Sequence, residues 1–152
     1  MTDRFRRTLP LPDLAATAEL GAKIAAMLAP GDAVLLKGDL GSGKTTLARA
    51  ILTALGVSES VPSPTFTLVQ TYDTPRLTVS HFDLYRLKRA AELDELGLEE
   101  ILENGAAMIE WPERAQERLP GDALTIHLSA DAERRAILDG PARWRGLEDG
   151  HV

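Results

Sequence analysis

The stretch that decides the fold is AVLLKGDLGSGKTTLARAILTAL, which occupies residues 33–55. It begins with a short apolar run, residues 33–37, and such a run between turn residues is typical of a buried strand. A glycine-rich segment follows at once, and residues 45–55 then have the pattern of a helix that Gly56 ends. The sequence therefore predicts a strand, a glycine-rich loop and a helix in direct succession.

The loop between this strand and this helix, residues 38–45, fits the pattern G-x-x-x-x-G-K-[ST] that cradles phosphate groups. Its glycines allow the backbone N–H groups to point at phosphate oxygens, and the helix adds the positive end of its dipole. Lys44 is expected to contact the β- and γ-phosphates, and the Thr45 hydroxyl is expected to ligate Mg²⁺. The predicted nucleotide-binding residues of this segment are Gly38, Asp39, Leu40, Gly41, Ser42, Gly43, Lys44, Thr45 and Thr46.

The phosphate pattern alone does not identify the base of the nucleotide. GTPases with such a loop carry an Asn-Lys-x-Asp segment that recognises guanine. The only asparagine here is Asn104, and Gly105 follows it. Adenine is therefore favoured over guanine, and the expected ligands are ATP and Mg²⁺.

Two acidic residues are candidates for the metal and for catalysis. A Mg²⁺ ion beside a triphosphate needs a carboxylate, usually at the end of an apolar strand next to the phosphate-loop strand. Asp83 follows the apolar residues 77–82, and Glu110 follows residues 106–109. Asp39 is a poor candidate because its carboxylate would face the phosphates. One carboxylate would hold Mg²⁺, directly or through water, and the other would orient the attacking water; the sequence leaves the assignment open.

Three further residues have both a structural and a functional interpretation. Thr65 lies in a proline-rich loop and could sense the γ-phosphate, although a hydroxyl that satisfies local backbone groups is the simpler interpretation. His81 is more typical of a packed histidine than of a catalytic base. Trp111 could be a packing aromatic, or it could shield the site beside Glu110.

Other short predicted elements surround this central unit, and no linker separates them into two groups. One domain spanning residues 1–152 is therefore expected. Asp13 is expected to cap a helix that ends before Pro30. From Gly140 onward the chain is polar and glycine-rich, which predicts a flexible tail over residues 140–152. The remaining predicted elements are hairpin strands at 67–72 and 77–82, helices at 91–96 and 98–103, and strands at 106–110, 124–128 and 135–138.

The composition excludes several classes of protein. With no cysteine among 152 residues, disulfides, thiolate nucleophiles and thiolate metal sites are ruled out. There is no apolar run long enough to span a membrane and no signal-peptide pattern, so a cytoplasmic location without a membrane partner is expected. The formal net charge of −6 argues against broad contact with a phosphate backbone, so any RNA would be held by a partner protein.

Taken together, the motifs resemble those of one family. They are GDLGSGKTT at 38–46, SPTFTLV at 63–69, HFDLYRL at 81–87, ELG at 95–97 and IEWP at 109–112. In order and spacing they are similar to the TsaE (formerly YjeE) family, bacterial ATPases of tRNA threonylcarbamoyladenosine synthesis. The resemblance extends over residues 11–120. It implies an α/β fold, a P-loop NTPase-like three-layer domain whose mixed sheet includes an antiparallel hairpin.

The resemblance also implies partners and residue roles. The chain would assist the TsaD–TsaB heterodimer, which transfers a threonylcarbamoyl group to adenosine in certain tRNAs, and it would meet tRNA only indirectly. Thr45 and either Asp83 or Glu110 would hold Mg²⁺, and Glu110 would support hydrolysis. Thr65 would belong to a switch loop, and Trp111 would lie near the nucleotide. The residues predicted to take part in catalysis are Lys44, Thr65 and Glu110.

Two alternatives belong to other functional classes. A small-molecule kinase would close an arginine-bearing lid over the transferred phosphate, with candidate arginines at Arg86, Arg89, Arg114 and Arg118. A nucleotide-gated assembly module would use ATP binding without essential catalysis. Arg134 and Arg135 lie beyond the resemblance, and no nucleotide contact is assigned to them.

Overall fold

The computed structural model describes residues 4–58, 68–130 and 133–148. Its strands are β1 (Arg4–Pro10), β2 (Ala33–Lys37), β3 (Val69–Asp73), β4 (Thr78–Asp83), β5 (Gly105–Glu110), β6 (Leu124–Ser129) and β7 (Arg135–Pro141). Its helices are α1 (Leu14–Met27), α2 (Lys44–Ala54), α3 (Glu92–Glu95) and α4 (Leu98–Asn104), with 3-10 helices over Pro112–Arg118 and Ala142–Glu148.

The described strands form one sheet in the order β1-β7-β6-β2-β5-β4-β3. The four central strands, β6, β2, β5 and β4, are parallel. The β3–β4 hairpin is antiparallel at one edge, and β7 and β1 continue the other edge in antiparallel pairing. The mixed sheet and its hairpin confirm the predicted fold. Because the carboxyl ends of parallel strands meet at one edge of a sheet, the ends of β2, β4 and β5 lie close together.

The central strands are covered on both faces, which gives the three layers. Successive side chains of a strand point to opposite faces. Accordingly, Val34 and Leu36 of β2 belong to one core cluster, whereas Ala33 and Leu35 belong to the other. The first cluster contains the apolar faces of α1 and α2, and the second contains those of α3 and α4.

The helices begin and end largely where local chemistry predicts. Asp13 caps α1, because its carboxylate accepts a hydrogen bond of 2.9 Å from the Ala16 N–H. The helix α2 starts at Lys44 directly after the glycine-rich loop, and Gly56 beyond its end has φ +106°. Within the described part of the chain, no helix is both long enough and apolar enough to cross a membrane.

The two ends of the described chain differ from expectation. The prediction of a flexible tail is wrong for residues 140–148: Gly140 and Pro141 extend β7, and the side chains of Trp144 and Leu147 are fully buried. These two apolar residues lie three positions apart on one face of the 3-10 helix and anchor a segment whose other residues are mostly polar. Strand β1 was not predicted, because only Phe5 of this edge strand is buried and its partner β7 is distant in sequence. Residues 149–152 lie outside the described residues.

Candidate functional site

The predicted phosphate loop joins the carboxyl end of β2 to the amino end of α2. Gly38 has φ +144°, and a Cβ there would lie 2.4 Å from Ser42 Oγ and 2.6 Å from the Leu128 carbonyl oxygen. Glycine is therefore required at Gly38 by both conformation and space. Gly43, with φ +105°, is the N-cap of α2, and as a glycine it has no side chain to cap the first N–H groups of this helix. Those N–H groups are available to an anion.

The Lys44 side chain packs back against its own loop. Its ammonium donates to the carbonyl oxygens of Gly38 and Asp39, the latter at 3.1 Å, and lies 4.0 Å from the centroid of the Trp111 ring. Burial lowers the pKa of Lys44 below its usual 10.5, and nearby carboxylates, Glu110 foremost, oppose that shift. The cation is thus held by dipoles and an aromatic face, so an anionic oxygen would be a stronger partner.

Glu110, at the end of β5, is the centre of a buried hydrogen-bonded group. The Thr45 hydroxyl lies 3.0 Å from each Glu110 carboxylate oxygen and donates its proton to this carboxylate. The His81 Nε2 lies 2.6 Å from Glu110 Oε2, and the His81 side chain is fully buried. Since Glu110 is only 2% exposed, these two donors replace the water that a buried carboxylate loses.

Asp83 brings a second carboxylate to the same place. It ends β4 and pairs in register with Glu110, so the two carboxylates leave adjacent strands at the same edge of the sheet. Asp83 Oδ1 accepts a hydrogen bond of 3.0 Å from the Tyr85 N–H, which fixes the carboxylate at the turn after β4. The predicted pairing of two acidic strand ends is therefore present.

Two aromatic rings form a wall beside these groups. Trp111 has φ +60°, an unfavourable conformation for a residue with a side chain, and its N–H donates to the Leu36 carbonyl oxygen at 3.3 Å. This turn directs the indole ring over the Lys44 ammonium. The Tyr85 ring lies 4.9 Å from the Trp111 ring, and the Arg114 guanidinium lies 5.5 Å from the Tyr85 ring. The Trp111 ring therefore lines the cavity beside Lys44 and also packs against the second core cluster.

A cavity of about 710 Å³ runs across the phosphate loop. One end, here called the acidic end, contains Thr45, Asp83 and Glu110. The other, called the N-terminal end, contains Pro12, Asp13, Leu14, Thr17 and Arg134.

The N-terminal end was not predicted from the sequence. The helical spacing of apolar residues predicts Leu14 as a core residue of α1, yet it is 76% exposed at the cavity. A large apolar residue directly after the helix cap Asp13 was the one local signal. Arg134 reaches the site because the Leu11 N–H donates to its carbonyl oxygen at 2.8 Å, which joins segments at opposite ends of the chain. No local pattern encodes such a contact.

The structure brings most of the predicted site residues together. Those that line the cavity are Leu40, Gly41, Gly43, Lys44, Thr45, Thr46, Asp83, Glu110 and Trp111. Gly38 and Asp39 turn their carbonyl oxygens to Lys44, and Ser42 is buried next to Gly38. Thr65 lies outside the described residues. The location of the other residues is now known, whereas their roles stay predictions.

The arginines of the alternative kinase lid do not converge. Arg118 pairs with Asp94 at 2.7 Å, and Arg89 lies 4.0 Å from Glu92. Arg114 packs on the Tyr85 ring, and among the four only Arg86 lines the cavity. This arrangement favours a site without a lid of these arginines.

The acidic end fits Mg²⁺ held together with a nucleotide. Among the described residues, no group of three or more histidine or acidic side chains could hold a metal ion alone. The chain instead offers the Thr45 hydroxyl and the carboxylates of Asp83 and Glu110. Mg²⁺ commonly binds one or two carboxylates and completes its octahedral set with phosphate oxygens and water.

Comparisons with known proteins agree on one family. The family model described as "Threonylcarbamoyl adenosine biosynthesis protein TsaE" matches residues 11–137. The tRNA threonylcarbamoyladenosine biosynthesis protein TsaE of Rickettsia bellii is 49% identical over 105 residues, which cover 68% of this chain and 73% of that protein. The Bacillus subtilis protein of the same name is 39% identical over 113 residues, covering 72% and 70%. The crystal structure of Bacillus subtilis YdiB has a TM-score of 0.75 and 29% identity, covering 98% of this chain and 94% of that one.

Proposed function

The chain belongs to the TsaE family of tRNA threonylcarbamoyladenosine biosynthesis proteins, and on that premise we propose that it binds and hydrolyses ATP with Mg²⁺ to support the TsaD–TsaB complex. The observation that carries the proposal is the hydrogen bond from Thr45 to Glu110 beside the phosphate loop. A carboxylate that accepts the proton of this hydroxyl turns the lone pairs of Thr45 away from itself and leaves them for a metal ion.

The phosphates would bind where the loop and Lys44 already point. The uncapped N–H groups of α2 would donate to phosphate oxygens. Lys44 would exchange the carbonyl oxygens of Gly38 and Asp39 for the β- and γ-phosphates, because a charged acceptor binds an ammonium more strongly than a carbonyl does. The Trp111 ring would cover the Lys44 ammonium in its new position and keep water from it.

The two carboxylates would then take different tasks. Thr45 and Glu110 would hold Mg²⁺, since these groups already contact each other next to the loop. Bound there, the ion would neutralise charge on the β- and γ-phosphates. Asp83, one strand further from the loop, would orient the attacking water and accept its proton.

This placement of the phosphates directs the base to the N-terminal end of the cavity. With the γ-phosphate at the acidic end, the adenosine would extend past Gly43 toward Leu14 and Arg134, which line the same cavity. The exposed Leu14 side chain would cover one face of the base, and the Arg134 guanidinium would lie near the ribose and phosphates. Burial of Leu14 by the ligand would remove an apolar surface from water.

The test is multiple-turnover tRNA modification by TsaD–TsaB with this protein added. Lys44→Ala and Glu110→Ala are expected to abolish its stimulation, because each removes a cavity side chain that would contact the phosphates or Mg²⁺. Lys23→Ala and Glu103→Ala are matched controls, since Lys23 lies on the face of α1 beside Glu19 and Glu103 is exposed on α4. Full stimulation by the Lys44→Ala or Glu110→Ala protein would refute the proposal.

Hydrolysis and phosphoryl transfer are separated by the fate of the γ-phosphate. With γ-labelled ATP, the label is expected in inorganic phosphate. Label in a small-molecule acceptor would instead identify a kinase, which the local pairing of Arg89 and Arg118 already disfavours.

A further inference from the structure

Within the described part of the chain, His81 contacts the site through Glu110. It lies on β4 opposite Met108 of β5, and its ring reaches along the sheet to the carboxylate of Glu110. Both side chains are buried, with 0% and 3% of their surfaces exposed. His81 does not line the cavity, so a nucleotide would meet Glu110 and not the histidine.

The direction of this hydrogen bond follows from the chemistry of the two groups. An ionised carboxylate only accepts hydrogen bonds, so His81 donates from Nε2–H to Glu110 Oε2. Among the described residues, the other ring nitrogen, Nδ1, is buried without a hydrogen-bond partner. A proton on Nδ1 would be a buried, unpaired donor, which is costly. The tautomer with the proton on Nε2 is therefore the one that the structure accommodates.

The Thr45 hydroxyl could not by itself fix the orientation of Glu110. It lies 3.0 Å from both carboxylate oxygens and has a single proton, so it can donate to either of them. The 2.6 Å bond from His81 supplies a second anchor, because it fixes Oε2 from another direction and so limits rotation of the carboxylate. A histidine present for packing alone would not need to donate to a buried carboxylate.

We propose that His81 is a positioning residue that holds the Glu110 carboxylate in the one orientation that can bind Mg²⁺ together with Thr45. The inference rests on the proposed function and deepens it. Partners that orient a metal-binding side chain typically change metal affinity or activity by about 10- to 100-fold when they are removed. The measurement that isolates this role is the ratio of the ATP dissociation constants without and with Mg²⁺, since this ratio reports how strongly Mg²⁺ improves ATP binding.

Three substitutions separate positioning from packing. His81→Leu removes the donor but keeps an apolar side chain of similar bulk, and His81→Gln retains an N–H at about the reach of Nε2. Ser80→Ala is the control: Ser80 is buried in the same strand and contacts Thr71 Oγ1 at 3.0 Å across the hairpin, away from Glu110. Titration calorimetry on the full chain gives the ATP dissociation constant with and without Mg²⁺, and melting temperatures are measured alongside.

His81→Leu is expected to weaken ATP binding in the presence of Mg²⁺ by about tenfold or more and to leave Mg²⁺-free binding nearly unchanged. His81→Gln is expected to restore most of the Mg²⁺ effect, and Ser80→Ala to keep all of it. Equal Mg²⁺ effects in wild type and His81→Leu would overturn the inference, as would a His81→Gln protein that fails as completely as His81→Leu. A wild type that binds ATP with Mg²⁺ but does not hydrolyse it would refute the proposed ATPase alone, because the binding ratios still decide the role of His81.

Discussion

The two ends of the cavity are built differently. At the acidic end the carboxylates of Asp83 and Glu110 are 7% and 2% exposed, and hydrogen bonds from Tyr85, Thr45 and His81 hold them. At the N-terminal end, Leu14 is 76% exposed and Arg134 is exposed too. On the proposed function, the groups that would face the phosphates are fixed before a ligand arrives, whereas the groups that would face the base gain their contacts from the ligand itself.

The largest effect is expected from Glu110→Gln. The amide would present N–H groups to Thr45 or His81, both of which donate, and it would lose the negative charge that attracts Mg²⁺. ATP hydrolysis should fall by about 10²–10³-fold, and Mg²⁺ should no longer strengthen ATP binding. Steady-state phosphate release and calorimetry measure the two effects, with Glu103→Gln on α4 as the control. A Glu110→Gln protein that retains the Mg²⁺ effect would show that the acidic end is not built around this residue.

A smaller and more selective effect is expected from Asp83→Asn. If Asp83 orients water and Glu110 holds Mg²⁺, the asparagine keeps the hydrogen bond from the Tyr85 N–H and removes the proposed proton acceptor. Hydrolysis should fall by about 100-fold, with binding of ATP and Mg²⁺ within about threefold of wild type. The opposite pattern, a lost Mg²⁺ effect in Asp83→Asn and a retained one in Glu110→Gln, would reverse the assignment of the two carboxylates.

The third expected effect comes from the pKa of Lys44, which burial lowers below 10.5 in the free protein. Phosphates favour the protonated ammonium, so ATP affinity should decrease as pH rises through this lowered pKa, by at most about tenfold per pH unit for one proton. In Lys44→Ala the affinity is already weak and should lack this decrease. The two curves are therefore expected to converge at high pH in binding titrations. If ATP affinity instead had the same pH dependence in wild type and Lys44→Ala, the Lys44 ammonium would not be the group that binds the phosphates.

The acidic end was largely predictable from sequence because its signals are local. Glycine spacing, a lysine and threonine at the helix start, and acidic residues directly after apolar strands each follow from neighbouring residues. The sequence could not assign the two carboxylates, since the contact between Thr45 and Glu110 joins positions far apart in the chain. His81 was interpreted as a packed histidine, because its hydrogen bond also depends on the register of β4 and β5.

The N-terminal end was not predictable because it depends even more on contacts between residues far apart in the chain. It is assembled by pairings between the first and last parts of the chain, of β1 with β7 and of Leu11 with Arg134. Edge strand β1 has a single buried residue, Phe5, and so gives little of the alternation that identifies a strand. The burial of Trp144 was likewise not predictable, because most of its neighbours in sequence are polar and indicate an exposed segment.

The smallest effect is expected at the N-terminal end, and it distinguishes the two ends most directly. Leu14→Ser should weaken ATP binding by only about three- to tenfold, because the exposed leucine would cover just one face of the base and serine would remove part of that apolar contact. Inorganic tripolyphosphate with Mg²⁺ has no base, so Leu14→Ser should not change its affinity, whereas Glu110→Gln should weaken both ligands. Ala15→Ser is the control, since Ala15 is exposed next to Leu14 but does not line the cavity. Equal losses for ATP and tripolyphosphate in Leu14→Ser would place the phosphates at the N-terminal end, and the proposed direction of the nucleotide would have to be reversed.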